Sequence, residues 1–108
     1  MILYLALLFI LQSPMGSISG KLQDRQSGKP ISGATISLEE TSLKTKSDID
    51  GTFNLTMVPY GRCRLRIVHS DYVTTRPWVI VSDSTKPIRV SMMDKYLFLI
   101  THPVEVKE

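Results

Sequence analysis

The sequence predicts an all-β sandwich, and three observations support this fold class. Apolar and polar residues alternate with a period of two in several short segments, which is typical of strands with one dry and one solvated face. Clusters of Gly, Pro, Asp and Ser separate these segments at a spacing typical of turns in a sandwich. No segment within residues 17–92 shows a helical period, and 108 residues leave room for one modest core.

The chain begins with an unbroken apolar run at residues 2–11 (ILYLALLFIL). This run has the length of the hydrophobic part of a signal peptide and is well short of the roughly 20 residues that a membrane-spanning helix needs. No basic residue precedes it, and the small residues after it contain no clear Ala-x-Ala site. We predict a signal peptide over residues 1–16, with a buried strand or helix as the alternative.

The strands are predicted in chain order from the alternating segments. The first covers residues 18–22 and ends in turn-forming residues 24–30, and later strands include Trp78–Val81 and the alternating residues 88–92. After these, the apolar run at residues 96–100 forms a last strand or begins a further segment. The inward-facing side chains predicted to form the core are Ala34, Ile36, Leu38, Phe53, Leu55, Leu65, Ile67 and Val90.

The stretch at residues 47–55 (SDIDGTFNL) has two interpretations, a calcium loop and a tight turn between strands. An EF-hand loop needs flanking helices and a bidentate Glu at its end, whereas no carboxylate follows Asp50 before Asp71. Gly tolerates a positive φ, and Asp bonds to the backbone of its own turn. The pair Asp50 and Gly51 therefore predicts a hairpin turn and not a metal site.

Charge and cysteine content exclude several classes of function. The 13 Lys and Arg against 10 Asp and Glu leave a net charge of +3, which is too small to indicate nucleic-acid binding. The single Cys63 excludes an intrachain disulfide, and its alternation with arginines predicts a small buried thiol. On the opposite face, Arg62, Arg64 and Arg66, joined by Arg89, form a candidate partner surface. The alternative is a solvated face that discourages aggregation.

Two histidine patterns suggest sites, and both are rejected. The H-x-x-E spacing at residues 102–105 matches zinc ligands, but Pro103 disfavours a helix there and no third ligand follows. Residues 69–71 (HSD) cannot converge as a catalytic triad, because adjacent strand residues point to opposite faces. We predict no catalytic residue, no cofactor and no metal site. The aromatic residues predicted at core and corner positions are Tyr60, Tyr72 and Trp78.

The order of motifs resembles the carboxypeptidase regulatory-like domain. The matching motifs are I-x-G-x-L-x-D at residues 18–24, SGKPI-x-GATI-x-L at 27–38, SD-x-DG-x-F-x-L at 47–55, P-x-G at 59–61 and DY at 71–72. The resemblance implies a seven-stranded, transthyretin-like antiparallel sandwich over residues 17–93, followed by a C-terminal tail over residues 94–108. Two residues depart from the family pattern, since Asp71 stands where Gly is usual and Cys63 where Thr or Tyr is usual.

The resemblance also implies a function. Domains of this kind accompany metallocarboxypeptidases and stand at the N-terminus of TonB-dependent outer-membrane receptors in Bacteroidetes-type bacteria. We therefore expect a non-enzymatic, exported interaction module that is the N-terminal extension of such a receptor, or a related fragment. Its expected location is the periplasm or outer membrane, and its expected partner is a protein there or a parent receptor barrel, with no nucleic acid and no membrane span of its own. The alternatives are a free-standing secreted module that binds carbohydrate or protein, and an accessory domain of a zinc carboxypeptidase.

Overall fold

The structure is a computed structural model that describes residues 14–101, so the apolar run at residues 2–11 and the pattern at residues 102–105 lie outside the described residues. Two sheets pack as a sandwich, one with three strands in the order β4-β1-β8 and one with five, in which β3, β2, β5 and β6 are neighbours and β7 also pairs with β5. This confirms the predicted all-β sandwich. The elements are β1 (Met15–Asp24), β2 (Thr35–Leu38), β3 (Lys44–Lys46), β4 (Thr52–Pro59), β5 (Gly61–His69), β6 (Tyr72–Thr75), β7 (Trp78–Val81), β8 (Ile88–Met92) and α1 (Lys95–Thr101).

The strands β6 and β7 lie along the same edge of β5. Thr75 of β6 is opposite Ile67, and Trp78 of β7 is opposite Arg64, so one antiparallel register continues through both strands. Between them, the Leu65 N–H donates to the carbonyl of Pro77 at 3.0 Å. Because Pro has no N–H to return, the ladder is interrupted there. With β6 and β7 counted as one interrupted strand, the described sandwich has the seven strand positions that the family resemblance implies.

The central strand of the smaller sheet, β1, has one antiparallel and one parallel neighbour. It pairs antiparallel with β4, with a bulge between Gly16 and Ile18, and parallel with β8 from Gly20 opposite Ile88 onward. The parallel pair differs from the antiparallel pattern expected throughout. Parallel neighbours need a long connection instead of a hairpin, and here the chain passes through the five-stranded sheet before it returns to β8.

The core lies between the two sheets and is formed by alternate residues of both. All eight side chains predicted to form it are buried, which confirms the inward phase at these positions. The alternation of β4 shifts near its end, where Met57 has a positive φ of 59° and is 65% exposed, while Val58 is buried. Each large side chain removed from water contributes roughly 1.5–3 kcal/mol to stability. The rest of the core comes from both sheets and one loop residue, and it consists of Ile18, Leu22, Ile31, Val58, Val79, Val81 and Met92.

The Asp-x-Asp-Gly stretch forms a tight turn, but the predicted hairpin is wrong. The Asp48 Oδ1 atom accepts hydrogen bonds from the backbone N–H of Asp50 and Thr52, and its Oδ2 atom accepts one from the Thr52 hydroxyl at 2.6 Å. The hydrogen bonds from Thr52 lower the pKa of Asp48, and the bond from its side-chain hydroxyl has a larger effect than the bond from its backbone N–H. The strands on either side, β3 and β4, belong to different sheets. The turn therefore carries the chain from one sheet to the other. The hairpin prediction failed because turn residues specify a reversal of the chain but not which sheet the next strand joins.

The apolar run at residues 96–100 forms helix α1, so the last-strand interpretation is wrong. The Asp94 carboxylate accepts a hydrogen bond from the Tyr96 N–H at 2.8 Å, which caps the first turn. Just before the helix, the Met93 carbonyl accepts a bond from the Val73 N–H at 2.8 Å and ties this segment to β6. Within residues 14–101, no helix is both long enough and apolar enough to cross a membrane.

Candidate functional site

Several basic side chains of the five-stranded sheet lie together on its outer face. On β5, Arg62, Arg64 and Arg66 alternate with the inward-facing Cys63 and Leu65, as the sequence predicts. Directly opposed residues of neighbouring strands share a face, and the pairings run from Arg66 through Ser37 of β2 to β3. The surface that we call the basic face consists of Arg62, Arg64, Arg66 and Arg76 with Lys44 and Lys46.

Trp78 holds two arginines of the basic face in place. The guanidinium carbon of Arg62 lies 4.2 Å from the centroid of the Trp78 ring, and that of Arg64 lies 5.0 Å from it. The Arg64 Nε–H also donates to the Arg76 carbonyl at 3.1 Å. Cation–π contacts of this kind contribute about 0.5–1 kcal/mol at exposed sites and restrict the motion of the guanidinium. A partner would therefore meet side chains that are already partly ordered.

One ion pair forms among the described residues, and it joins Arg76 of the basic face to Glu39. The Arg76 Nε–H donates to Glu39 Oε1 at 2.6 Å, and Nη2 donates to Oε2 at 3.0 Å. This bidentate bond is the main cause that lowers the pKa of Glu39. No carboxylate within residues 14–101 forms an ion pair with Arg62 or Arg66. The face thus keeps exposed guanidinium groups available to an anion.

Arg89 lies apart from the other three predicted surface residues. It belongs to β8, opposite Lys21 of β1, in the three-stranded sheet. The structure therefore brings together Arg62, Arg64 and Arg66 but not Arg89. The basic face also contains three residues that the sequence did not predict, Arg76, Lys44 and Lys46. The alternation of the two lysines with Thr45 is the signal that a short strand would give.

Trp78 is not a core or corner residue, so that prediction is wrong for it, whereas Tyr60 stands at the corner between β4 and β5. Trp78 is 54% exposed and Tyr60 is 41% exposed, whereas Tyr72 is half-buried and packs against the core. The run WVIV of β7 is apolar on both sides and suggests a strand covered on both faces. Because the second sheet covers only its inner face, Trp78 and Ile80 point outward while Val79 and Val81 are buried.

A cavity of about 330 Å³ adjoins the basic face where β2 separates from β5 after Leu38. Its lining includes Tyr60, Arg62 and Trp78, together with Glu39 and Cys63. Burial raises the pKa of Cys63, and the thiol lies 3.5 Å from the Val79 carbonyl. Cys63 is half-buried and packs against the core, so it is less buried than the sequence predicts.

The ring of His69, in the HSD stretch at residues 69–71, makes contacts with backbone groups. His69 Nδ1 accepts a hydrogen bond from the Asp71 N–H, and Nε2 lies 3.1 Å from the Ser32 carbonyl. Both ring nitrogens are therefore engaged, and neither is positioned to take a proton from a nucleophile. Among residues 14–101, no group of three His, Cys, Asp or Glu side chains is placed to hold a metal ion.

Two packed sheets with an exposed basic and aromatic face define the chain as a β-sandwich module. The family model for the CarboxypepD_reg-like domain matches residues 18–99, and the chain belongs to this family. The family resemblance inferred from the motifs is thereby confirmed. A search of curated proteins found no match.

Solved structures with a similar fold include two cohesin–X-dockerin complexes and a pilin. A chain of a type II cohesin–X-dockerin complex from Acetivibrio cellulolyticus with an N-terminal interface mutation has a TM-score of 0.53 at 22% identity, over 70% of this chain and 51% of that chain. The corresponding C-terminal interface mutant has a TM-score of 0.51 at 20% identity, over the same shares. A streptococcal ancillary pilin has a TM-score of 0.55 at 16% identity, over 78% of this chain and 30% of the pilin chain. These identities indicate similarity of fold alone, and the chain spans about half or less of each of these proteins.

Proposed function

We propose that the chain is a non-enzymatic protein-interaction module that is exported and acts at the outer membrane. In this proposal it is the N-terminal extension of a TonB-dependent receptor, or a fragment related to one. The observation that carries the proposal is the basic face, where the guanidinium groups of the exposed Arg62 and the half-buried Arg64 contact a half-exposed tryptophan. Arg and Trp are enriched where proteins bind one another, because each combines a large contact area with directed polar groups.

Three further observations support the proposal. Membership in the CarboxypepD_reg-like family agrees with the receptor-extension expectation drawn from the motifs. The apolar run at residues 2–11 has the length of an export signal. The histidine that most resembles a catalytic base, His69, has both ring nitrogens engaged with backbone groups. A binding function thus accounts for the exposed residues better than a catalytic one.

Cell fractionation tests the location and the receptor link together. Native cells are separated into cytoplasm, periplasm, outer membrane and medium, and each fraction is blotted under denaturing conditions with an antibody against residues 17–92. The proposal predicts a band in the outer membrane that is much larger than 12.2 kDa, because the domain would be joined to a receptor barrel. A matched antibody against a cytoplasmic protein controls for leakage. A band confined to the cytoplasm would contradict the proposal.

The cavity beside the basic face favours a second candidate function, a free-standing secreted module that binds carbohydrate or protein. Tyr60, Trp78 and Glu39 line it, and aromatic rings with a few polar groups are usual in ligand pockets. This candidate predicts a 12 kDa band, or one shortened by signal cleavage, in the periplasm or medium. It also predicts retention of the chain on a glycan column that Tyr60→Ala abolishes and Ile49→Ala, at an exposed turn position, preserves.

A further inference from the structure

We propose that the outer edge of β7 accepts an extended acidic segment of a protein partner as an additional strand. This inference rests on the proposed interaction function and specifies the chemistry and conformation of the partner. Addition of a strand to an exposed sheet edge is a recurrent mode of peptide recognition, in which backbone hydrogen bonds supply affinity and side chains supply selectivity. Two independent features of the molecule support it, the open edge and the charge beside it.

The backbone of β7 has unpaired groups along its outer edge. The Leu65 N–H bond to the Pro77 carbonyl sets the phase of the ladder, so Pro77 and Val79 direct their backbone polar groups toward β5. Trp78 and Ile80 alternate with them and direct theirs to the other side. Within residues 14–101, no strand pairs with that side. A partner strand would satisfy these groups.

The beginning of the same sheet edge is covered at Tyr72 and Val73, so the opening on this edge lies farther along it, at β7. The segment after β8 covers the outer edge of β6, where the Val73 N–H donates to the Met93 carbonyl and Tyr72 forms a bridge with Asp94. The edge of β7 also lacks the usual protection of a charged residue, a bulge or a blocking proline within the strand. Pro77 does not block it, because the N–H that Pro77 lacks would face β5.

Side chains at the open edge are apolar and exposed. Ile80 is 72% exposed and Trp78 is 54% exposed, and both point to the outer face. In an added strand, the residues opposite them would come within about 4.5–5.5 Å between Cβ atoms and would cover this apolar surface. The edge therefore offers hydrophobic contact as well as backbone hydrogen bonds.

The charge beside the edge selects an acidic partner. Arg62 is directly opposite Ile80, and Arg64 is directly opposite Trp78, so both arginines lie on the face that outward residues of an added strand would share. Alternate residues of an extended strand repeat every ~6.6 Å. Acidic side chains at alternate positions would therefore follow the same repeat as the arginines of β5. Because no described carboxylate forms an ion pair with Arg62, its charge is available.

Fluorescence anisotropy with the full chain and two synthetic peptides tests the proposal. The probe is a fluorescein-labelled peptide of five Thr-Glu repeats, and the matched control has five Thr-Lys repeats. We expect the acidic peptide to bind at least about ten-fold more tightly, with affinity falling as salt rises, because exposed charge pairs are screened. In the NMR spectrum, the amides of Trp78 and Ile80 should gain protection from exchange when the acidic peptide is added. Equal affinity for both peptides, or no binding, would overturn the proposal.

Two pairs of variants separate the edge from the charge. Ile80→Pro removes the outward N–H, whereas Ile80→Thr keeps it, so only the first should weaken binding by about ten-fold or more. The double substitution Arg62→Gln with Arg64→Gln should weaken binding by a similar factor. Its control, Lys21→Gln with Arg89→Gln, removes two charges from the other sheet and should leave affinity within about two-fold. Circular dichroism verifies the fold of each variant. If a variant does not fold, amide protection in the wild-type chain still tests whether a strand is added at β7.

The remaining outcomes also decide the question. If the arginine pair matters but Ile80→Pro binds normally, an anion binds the basic face without strand pairing, and the proposal is wrong. Tighter binding of polygalacturonate than of the acidic peptide, unaffected by Ile80→Pro, would overturn it in favour of an acidic glycan. Fractionation does not depend on the peptide, so failure of the strand inference leaves the proposed location standing. Conversely, a cytoplasmic chain that binds the acidic peptide contradicts only the proposed function.

Discussion

Gly51 occupies a position where both the backbone and the surroundings require glycine. Its φ of 77° lies in the left-handed region, which costs other residues roughly 1–2 kcal/mol. A Cβ atom at this position would lie 2.5 Å from the Leu22 carbonyl oxygen, which is itself backbone and cannot rotate away. The turn between the two sheets therefore depends on one residue with no side chain.

Replacement of Gly51 tests this dependence. We expect Gly51→Ala to destabilise the fold by more than Gly28→Ala, because Gly28 shares a positive φ but has nothing within 4 Å of its added Cβ. Gly28→Ala should cost about 1–2 kcal/mol from the backbone alone. Urea unfolding of both variants measures the difference. Equal free energies of unfolding would show that the turn relaxes around the new methyl group.

Tyr72 of β6 links the two sheets by a hydrogen bond from its phenol to β1. The Tyr72 hydroxyl donates to Asp24 Oδ2 at 2.9 Å. Burial, together with this bond to a carboxylate, raises the pKa of Tyr72 to about 12 from a reference of 10.0. The folded state holds the phenol neutral, so its contribution to stability is complete below about pH 10 and is lost as the pH rises from about 10 through 12.

The pH dependence of Tyr72→Phe follows from that shift. At neutral pH we expect the variant to be less stable by about 0.5–1.5 kcal/mol, the usual net value of a hydrogen bond. The gap to wild type should shrink between pH 10 and pH 12, because only the wild type loses this contribution there. Urea unfolding at several pH values measures it, with Tyr96→Phe, at a 73% exposed site, as the control. A gap that stays constant with pH would contradict the shift.

At the scale of elements, α1 shows how a local signal competes with composition. The run YLFLI is apolar and aromatic, which suggests a strand, but Asp94 stands at the N-cap position before it. Its Oδ1 accepts bonds from the N–H groups of Tyr96 and Leu97, and its carbonyl accepts one from Phe98. Satisfying the first N–H groups of a helix in this way stabilises the first turn.

Asp94→Ala tests the cap directly. We expect the substitution to cost about 0.5–2 kcal/mol and to increase hydrogen exchange across α1. Asp94→Asn should preserve most of the stability, because its side-chain oxygen accepts the same bonds. Amide exchange by NMR separates fraying of the helix from loss of the whole fold. If both variants exchanged like wild type, the cap would contribute nothing measurable.

At the scale of the whole molecule, stability depends on one core shared by both sheets. Phe53 is 5% exposed in β4, and Ile49 is 82% exposed in the turn that precedes it. Truncation of a buried Phe costs about 3–5 kcal/mol, a large share of the roughly 5–15 kcal/mol that stabilises a small domain.

Phe53→Ala should therefore lower the melting temperature sharply or leave the chain unfolded at 37 °C. Ile49→Ala should stay within about 0.5 kcal/mol of wild type, because exposed substitutions rarely change stability by more. Thermal unfolding followed by circular dichroism compares them. Similar melting of Phe53→Ala and wild type would mean that the core does not depend on this strand.

The sequence by itself determined the fold class and the inward residues of most strands, but it missed the short strand β3 and did not determine which strands the SDIDG turn connects. Period-two alternation is a local property, so Leu65, Ile67 and Val90 were assignable to the core without knowledge of any partner strand. The motif order likewise determined the family, because glycines and apolar residues at set spacings reflect local backbone and packing requirements.

Only the tertiary structure decided which strands share a sheet and which face of each stays open. It separated β3 from β4 across the SDIDG turn, placed Arg89 on the other sheet, and left Trp78 and Ile80 exposed at the edge of β7. The physical reason is that alternation specifies the side of a strand but not its neighbours. Pairing and coverage come from contacts between residues far apart in the chain, and these produced the basic face and the open edge beside it.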